Sequence, residues 1–516
     1  MLPLQIQPQS HIPLYVQLRD QLRALVHAGE LRLGDRIPAS RELAAQLGVH
    51  RTTVANAYAE LESEGLIEGH VGRGTFICGA PGGRQFTPPP RTSVNGNGNH
   101  GVRWEALFAD ERTEDALSRL MPEVPPGAIA FVTARPTDDC LPAEDVRRCT
   151  NAVLRQDGKR ILQLGSSDGY PPLKRVLIEM FRGEGLAVKS EQLLITNGCQ
   201  QALDLLCRAF LRPGDTVLME NPAYPGAIGI LAAARVRCLA IPVEASAERS
   251  GPHGADVEAV ESLLLQNRVK MILLTPDFQN PTGTTMPAPE RRRLLEVAAR
   301  HQVPVVEDHI YARLRLRGNP VPSLKSLDRA GVVIHIDSVS KMAYPGLRVG
   351  WCIGPENVIE RLRLVKQATD LHTDQLSQAT VAEFIRRGIL PRHLAKMKKV
   401  YLSRLEAMEA ALERHMPEEV QWTKPEGGMS IWVTLPLGFD AGELLIHARE
   451  RGVLFIPGRY FYFQNPKLNT LRLGFAPIDE RQIARGIAIL GEMVRESLGK
   501  RWRGSRYEEG ARVALV

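Results

Sequence analysis

Residues 332–348 read VVIHIDSVSKMAYPGLR. The apolar, β-branched run VVIHID (332–337) has the length and composition of a buried strand. Ser338, Ser340 and Lys341 follow it directly, and Arg348 stands seven residues beyond the lysine. A lone lysine after a strand is usually a solvated side chain. A lysine flanked by two hydroxyls, with an arginine close behind, can instead form a Schiff base beside a phosphate.

Outward from this segment, apolar runs alternate with helical ones: QLLIT (192–196), DTVLME (215–220), VKMILLTP (269–276) and VPVVEDH (303–309). That alternation predicts an α/β fold with a mostly parallel sheet. Beyond about residue 390 the helices lengthen. A smaller strand set, MSIWVTL (429–435), VLFI (453–456) and TLRLGFA (470–476), predicts a terminal α+β subdomain. Polar residues fall where these strands end. Asp308 closes VPVVED, with Tyr311 three residues on. A carboxylate at the carboxyl end of a parallel strand points into the ligand crevice, although a helix cap is an equally simple role for it. Asn280-Pro281-Thr282-Gly283 closes MILLTP and by itself is only a turn. Gly198-Cys199-Gln200 opens a helix after QLLIT, where free backbone N–H groups can hold an anion.

Composition bounds the rest. The 516 residues and 57.1 kDa exceed one ordinary domain. With 44% hydrophobic and 24% charged residues, bulk disorder and a fibrous protein are excluded. No apolar run reaches the ~20 residues of a membrane span, and MLPLQIQPQS lacks a signal peptide's pattern, so the chain reads as cytoplasmic with no membrane partner. The seven cysteines form no C-x-x-C pair and no zinc-spaced cluster, so no metal is expected and the thiols read as reduced. The net charge of +7 is weak evidence for a polyanion partner, because residues 1–91 hold 9 basic and 8 acidic residues.

Near residue 79 the composition shifts. GAPGGRQFTPPPRTSVNGNGNHG (79–101) has almost no apolar periodicity and reads as the start of a linker spanning 79–124, with an amphipathic helix over 103–120. Before it, Leu14, Leu18, Leu22 and Leu25 recur at helical spacing. Ser40 is a candidate N-cap for SRELAAQL, and Gly48 ends that helix. A further helix over about 51–64 carries Val54, Ala57, Tyr58 and Leu61 on one face, and LIEGHVGRGTFI (66–77) reads as a hairpin. Three helices and a hairpin describe a winged helix-turn-helix. In such a module Arg51, Thr52, Thr53 and Asn56 lie at the groove-facing start of the recognition helix, and Arg41 and Arg73 are natural phosphate contacts. The plain alternative is that these arginines only solvate a surface.

Two motif matches carry less. Gly96-x-Gly98-x-x-Gly101 follows no strand and sits in the linker, so it is a chance match to the dinucleotide fingerprint. Gly165-Ser166-Ser167-Asp168-Gly169 fits G-x-S-x-G, which would make Ser167 a nucleophile, but a glycine-rich loop before a helix is the commoner reading.

Taken in order, Gly198-x-x-helix, Asn-Pro-x-Gly, Asp-x-x-Tyr, Ser-x-Ser-Lys and Gly-x-Arg resemble the fold-type I aminotransferases that use pyridoxal phosphate. The resemblance spans about 125–495 and includes GYPPLK (169–174), ENPAYPG (220–226), PEGGMSIWV (425–433), PGRYF (457–461) and LRLGF (471–475). The N-terminal module looks like a GntR-type winged helix, and the two together resemble the MocR family of bacterial regulators. The expected architecture is therefore multidomain. A winged helix-turn-helix (1–78) and linker (79–124) precede an α/β fold-type I domain (125–498), whose small α+β subdomain covers about 390–498, and a basic tail (499–516) follows.

The resemblance implies roles residue by residue. Lys341 would hold pyridoxal phosphate covalently and shuttle a proton, while Asp308 would pair with the ring nitrogen. Tyr311 and Asn280 would bond the ring hydroxyl oxygen, and Tyr224 would stack on the ring. Cys199, Gln200, Ser338, Ser340 and Arg348 would hold the phosphate. Arg472 would grip an amino-acid carboxylate as a bidentate fork. The chain departs from relatives at Leu164, where many carry a tyrosine reaching the partner subunit's phosphate. It also departs at Ala134-Arg135-Pro136, where a Gly-x-Pro loop contacts substrate, and at His50, where a serine cap is usual. The implied function is a homodimeric regulator that binds a double-stranded DNA operator and senses pyridoxal phosphate, an amino acid or an amine. The alternative is a working aminotransferase whose head is vestigial or autoregulatory.

Overall fold

The computed structural model describes residues 4, 6, 14–27, 30–31, 34–63, 66–70, 74–78, 124–244 and 254–499. The expected linker apart from Val124, its 103–120 helix, the match at 96–101, Arg73 and the tail beyond Gly499 lie outside these residues. The chain divides into two compact units, Met1–Glu111 and Arg112–Val516.

The first unit contains helices α1 (Leu14–His27), α2 (Ser40–Leu47) and α3 (Arg51–Ser63). Its strands β1 (Arg36–Ile37), β2 (Ile67–His70) and β3 (Gly74–Ile77) form an antiparallel sheet in the order β1-β3-β2. The apolar stripe of α1 reaches the core through Leu18, Leu22 and Val26, at i, i+4 and i+8, and Leu25 is only partly buried. These side chains pack with Leu43, Val54, Ala57, Tyr58 and Leu61. Tyr58 anchors the turn between β1 and α2 by donating its hydroxyl to the Pro38 carbonyl at 2.8 Å. Ser40 is the first helical residue of α2 and not its cap. Ala39 holds the cap position, with no side-chain bond. Gly48 ends α2 at φ 65°, the left-handed conformation in which a Cβ is disfavoured. The short strand β1, hidden in the Gly- and Pro-rich GDRIPA segment, was absent from the sequence reading.

The second unit begins with β4 (Ile129–Ala130) and is built on an eight-stranded sheet. Its strands are β5 (Leu193–Thr196), β6 (Thr216–Asn221), β7 (Arg237–Glu244), β8 (Gly254–Ala255), β9 (Val269–Leu274), β10 (Val305–Asp308), β11 (Val333–Ser338) and β12 (Gly350–Ile353). The spatial order is β5-β12-β11-β10-β9-β6-β7-β8. Pairing is parallel from β7 through β6, β9 and β10 to β11, whereas β12 runs antiparallel to both β11 and β5. Strands β10, β11 and β12 are buried along their length because both faces are covered. One face packs Val217, Val306 and Ile336 against the helix Cys199–Phe210. The other packs Leu218, Ile272 and Val305 against the helices Val257–Gln266 and Ala288–His301.

The remaining strands are β13 (Gln421–Trp422), β14 (Ser430–Thr434), β15 (Val453–Leu454), β16 (Ile456–Pro457) and β17 (Thr470–Gly474). Four of them form a sheet in the order β13-β14-β17-β16, while β15 pairs parallel with β4. The terminal subdomain is thus completed by residues from the start of its own unit: Ile129 and Phe131 lie in one core with Tyr401, Phe455 and Ile487. Among the described residues no helix is long and apolar enough to cross a membrane, and no disulfide links the cysteines.

Arg291 has no exposed surface and pairs with Asp277 at 2.8 Å while donating to the carbonyls of Met286, Pro276 and Pro322. It fixes the loop from β9 that carries Asn280. Arg291→Leu takes from the buried Asp277 its closest cationic partner, leaving it only Arg315 at 3.7 Å and His309 at 4.0 Å, so unfolding of the large unit should become easier by about 3–5 kcal/mol. Denaturant titration measures this, and a midpoint unchanged from wild type would contradict the assignment.

Candidate cofactor site and nucleic-acid face

The sheet presents its sequence-derived site residues on loops leaving the carboxyl ends of β5, β6, β9, β10 and β11. Lys341 lies three residues beyond β11, and its Nζ donates to the Ala134 carbonyl at 2.6 Å. Burial, followed by the charge of Arg472, lowers its pKa from the ordinary 10.5 to about 8. Lys341 Nζ stands 5.9 Å from the centre of the Tyr311 ring. Asp308 is the last residue of β10. Burial pushes its carboxyl up to about 7, against the Ile310 N–H that donates to it at 3.2 Å. A cationic nitrogen placed against this carboxyl would hold it ionised.

Arg472, in the middle of β17, is buried, and burial lowers its pKa to about 10. Its two amino groups donate to neutral oxygens, Asn280 Oδ1 at 2.9 Å and the Val132 carbonyl at 2.6 Å. Its Nε is buried with no hydrogen-bond partner among the described residues. Phe461 covers the guanidinium at 4.9 Å. A buried guanidinium served only by neutral oxygens is strongly favourable ground for an anion. Tyr311 and Tyr224 are its electrostatic neighbours, and both phenols are pushed up by burial.

A second anion-ready place forms where β5 and β11 end. Gly198, at φ 85°, precedes the helix whose first residues are Cys199 and Gln200, and whose leading N–H groups have no partner within the helix. Arg348 folds over it and donates to the Asn197 carbonyl at 3.1 Å and to Ser340 Oγ at 3.4 Å. Ser338 Oγ accepts from the Ser340 N–H at 3.2 Å. A Cβ on Gly198 would lie 2.7 Å from Arg348 Nη2, and one on Gly350 would lie 2.6 Å from the Gly198 Cα. Both positions therefore require glycine if the helix start and the arginine are to converge. Burial keeps the Cys199 thiol neutral, well above its ordinary range.

The structure adds residues that the sequence reading missed. Gln279, fully buried beside Asn280, donates to the Pro222 carbonyl at 2.7 Å and accepts from Thr282 Oγ1 at 2.6 Å. It thereby locks the Asn280 loop to the loop carrying Tyr224. Its position next to Asn280 was the one available signal. Behind Asp308, His309, His335 and Asp337 come within 4.8 Å of one another. Asp337 is held by Arg313, and His335 Nδ1 faces Glu307 at 2.8 Å, which makes the group a charge network. Ser167 accepts from Arg363 at 3.2 Å. A guanidinium keeps its protons and cannot activate a nucleophile. Leu164 is 80% exposed.

In the head, Arg41, Arg51, Thr52 and Asn56 are exposed and Thr53 partly so. His50 takes up the cap of α3: its Nδ1 lies 2.8 Å from Thr52 Oγ1 and accepts the Thr52 N–H at 3.4 Å. At 3.4 Å this N–H to ring-nitrogen bond is long for a hydrogen bond.

Residues 136–490 match the aminotransferases of class I and II, and residues 14–77 match the bacterial regulatory proteins of the gntR family. The chain is 30% identical over 479 residues to the probable rhizopine catabolism regulatory protein MocR of Rhizobium meliloti, covering 93% of each chain. It is 35% identical over 378 residues to the aromatic-amino-acid aminotransferase 1 of Thermococcus litoralis, covering 72% of this chain and 89% of that one. The crystal structure of the α-aminoadipate aminotransferase LysN from Thermus thermophilus, complexed with N-(5'-phosphopyridoxyl)-L-leucine, superposes with a TM-score of 0.69 at 34% identity. It covers 77% of this chain and 100% of that one.

A lysine whose pKa is lowered is a free amine, and hence a nucleophile, above that value. Reductive trapping of a soluble aldehyde at Lys341, followed at peptide level by mass spectrometry, should rise through about pH 8 and level off above it. A rise delayed to the range of an ordinary lysine would contradict the burial effect.

Proposed function

We propose that this chain, which belongs to the class I and II aminotransferases and carries a gntR-family head as the MocR-type regulators do, is a DNA-binding regulator that senses pyridoxal phosphate together with an amino acid or amine. The observation that carries the reading is Arg472, a buried guanidinium with an unpartnered Nε, whose charge reaches a lysine with a pKa lowered to about 8 that is itself coupled to Cys199 at an anion-ready helix start. These residues fit the cofactor. Lys341 would hold it covalently, Asp308 its ring nitrogen, Tyr311 and Asn280 its ring hydroxyl, and Tyr224 would cover the ring. Backbone at Cys199 and Gln200, the hydroxyls of Ser338 and Ser340, and Arg348 would hold the phosphate.

When bound, pyridoxal phosphate supplies an electron sink that weakens bonds at the α-carbon of an amino acid. Lys341 would exchange the Ala134 carbonyl for the cofactor and could then carry a proton at Nζ. Asp308 would stay ionised against the ring nitrogen. Arg472 would turn its fork from the Asn280 and Val132 oxygens toward a substrate carboxylate, a charge-assisted pair stronger than the bonds it replaces. Two copies joined through their aminotransferase-like parts would present two heads to two operator half-sites. Regulation requires that the ligand bind two arrangements of those heads with different affinity.

A second reading, a working aminotransferase, is favoured by one observation: Asn280, Asp308, Tyr311, Lys341 and Arg472 are all present and mutually close in electrostatic terms. Turnover of an amino acid with a 2-oxo acid would support it. DNA binding that responds to ligand without turnover supports the regulator.

On operator fragments selected from random duplexes, Lys341→Ala should abolish the response of DNA binding to pyridoxal phosphate and amino acids while leaving basal DNA affinity intact. An unchanged response would overturn the sensing reading. In the head, Arg51→Ala should relax sequence preference and weaken operator binding by about 1–3 kcal/mol, whereas Arg41→Ala should weaken all duplexes alike and lower the salt slope by about 1. Filter binding across a salt series separates the two.

A further inference from the structure

The phosphate end of the site is braced from outside by a residue that touches none of the groups assigned to the cofactor. Asp370 closes the helix Glu356–Asp370. Its Oδ2 accepts from Asn197 Nδ2 at 2.8 Å and from Gln201 Nε2 at 2.6 Å. Gln201 in turn accepts the Asn197 N–H at 2.8 Å. Asn197 is thus held by its side chain and its amide, and its carbonyl is the one that receives Arg348. Lys366, with no exposed surface, sits on both oxygens of Asp370 at 2.7 and 2.8 Å and fixes the carboxylate in place.

The backbone at Asp370 is equally constrained. Leu371 adopts φ 63°, ψ −57°, and the His372 N–H returns to the Asp370 carbonyl at 2.7 Å. This three-residue turn is a rare and strained conformation for a residue with a side chain. The helix therefore stops abruptly at the residue whose carboxylate the Asn197 loop requires.

We infer that Asp370 is a positioning residue for phosphate recognition. By holding the Asn197 peptide, it sets Gly198 in its left-handed conformation and aims both the helix start at Cys199 and the Arg348 guanidinium at one anion. The inference rests on the cofactor reading above. Without Asp370 the two anion-binding elements would lose their common support, while Lys341, whose Nζ is held by the Ala134 carbonyl, and Asp308, the last residue of β10, would keep theirs. The loss should then be confined to ligands that bear a phosphate.

The experiment compares pyridoxal phosphate with pyridoxal, which lacks the phosphate, by titrating each into full-length apoprotein and following the visible absorption band. For Asp370→Asn, affinity for pyridoxal phosphate should fall about tenfold to a hundredfold, the size typical of losing an outer-shell support, while affinity for pyridoxal stays within about twofold. Lys366→Met/Asp370→Leu removes the same brace without stranding a buried charge and should give the same selective loss if Asp370→Asn fails to fold. Equal weakening of both ligands would show a merely structural role and overturn the inference, as would unchanged affinity for pyridoxal phosphate. A wild-type protein that forms no band with either ligand would instead overturn the cofactor reading, and this inference with it.

Discussion

The connection 339–349 between β11 and β12 is too short to cross the sheet as a parallel unit requires. The chain must turn back on itself, so β12 lies antiparallel between β11 and β5, pairing Gly350 with both Ser338 and Thr196. That return brings the end of β5 against the end of β11. Lys341, Ser340 and Arg348, all on the connection, then stand beside the helix that starts at Cys199. Glycine at 198 and 350 is what allows the two loops to approach so closely. The remaining site residues take their places from the ordinary geometry of parallel strands, whose carboxyl ends share one rim.

Burial then sets the chemistry. Asp308 and Arg472 are buried and Lys341 is partly so, and each is shifted toward its neutral form. A site in this state holds unspent electrostatic interaction: an anion beside Arg472, or a cation beside Asp308, is worth more there than in water. The surrounding ion pairs are fully satisfied by contrast. Arg291 with Asp277 and Lys366 with Asp370 support loops and leave nothing over for a ligand.

Much of this was legible in the sequence. The runs around 193, 216, 269, 305 and 333 are strands within a residue or two of their expected bounds, because strands buried on both faces are continuously apolar. Asp308 and Lys341 are singled out by their position after such runs. What escaped was non-local. GWCI is strand-like in composition, but nothing in it reveals that it runs antiparallel. The stripe of α1 closes on Val26 where a leucine count chose Leu25, because helix pitch and not residue type selects the inward face. Ser40 lost the cap to Ala39, since β1 and the Pro38 turn already fix how the chain enters α2. Gln279, Asp370 and Asn197 lie in unremarkable sequence, and only the fold places their polar atoms together.

The pairing of β4 with β15 has a consequence for how the chain is made. Ile129 and Ala130 find their strand partners at Val453 and Leu454, and Phe131 is buried among residues from the same distant region. At a synthesis rate of roughly 5–20 residues per second, these apolar residues wait some tens of seconds for the ribosome to deliver the strand that covers them. The head, a compact unit within Met1–Glu111, can fold well before then. Contacts of such large sequence separation also slow folding itself. The large unit is therefore completed late, and one of its earliest segments waits for one of its latest.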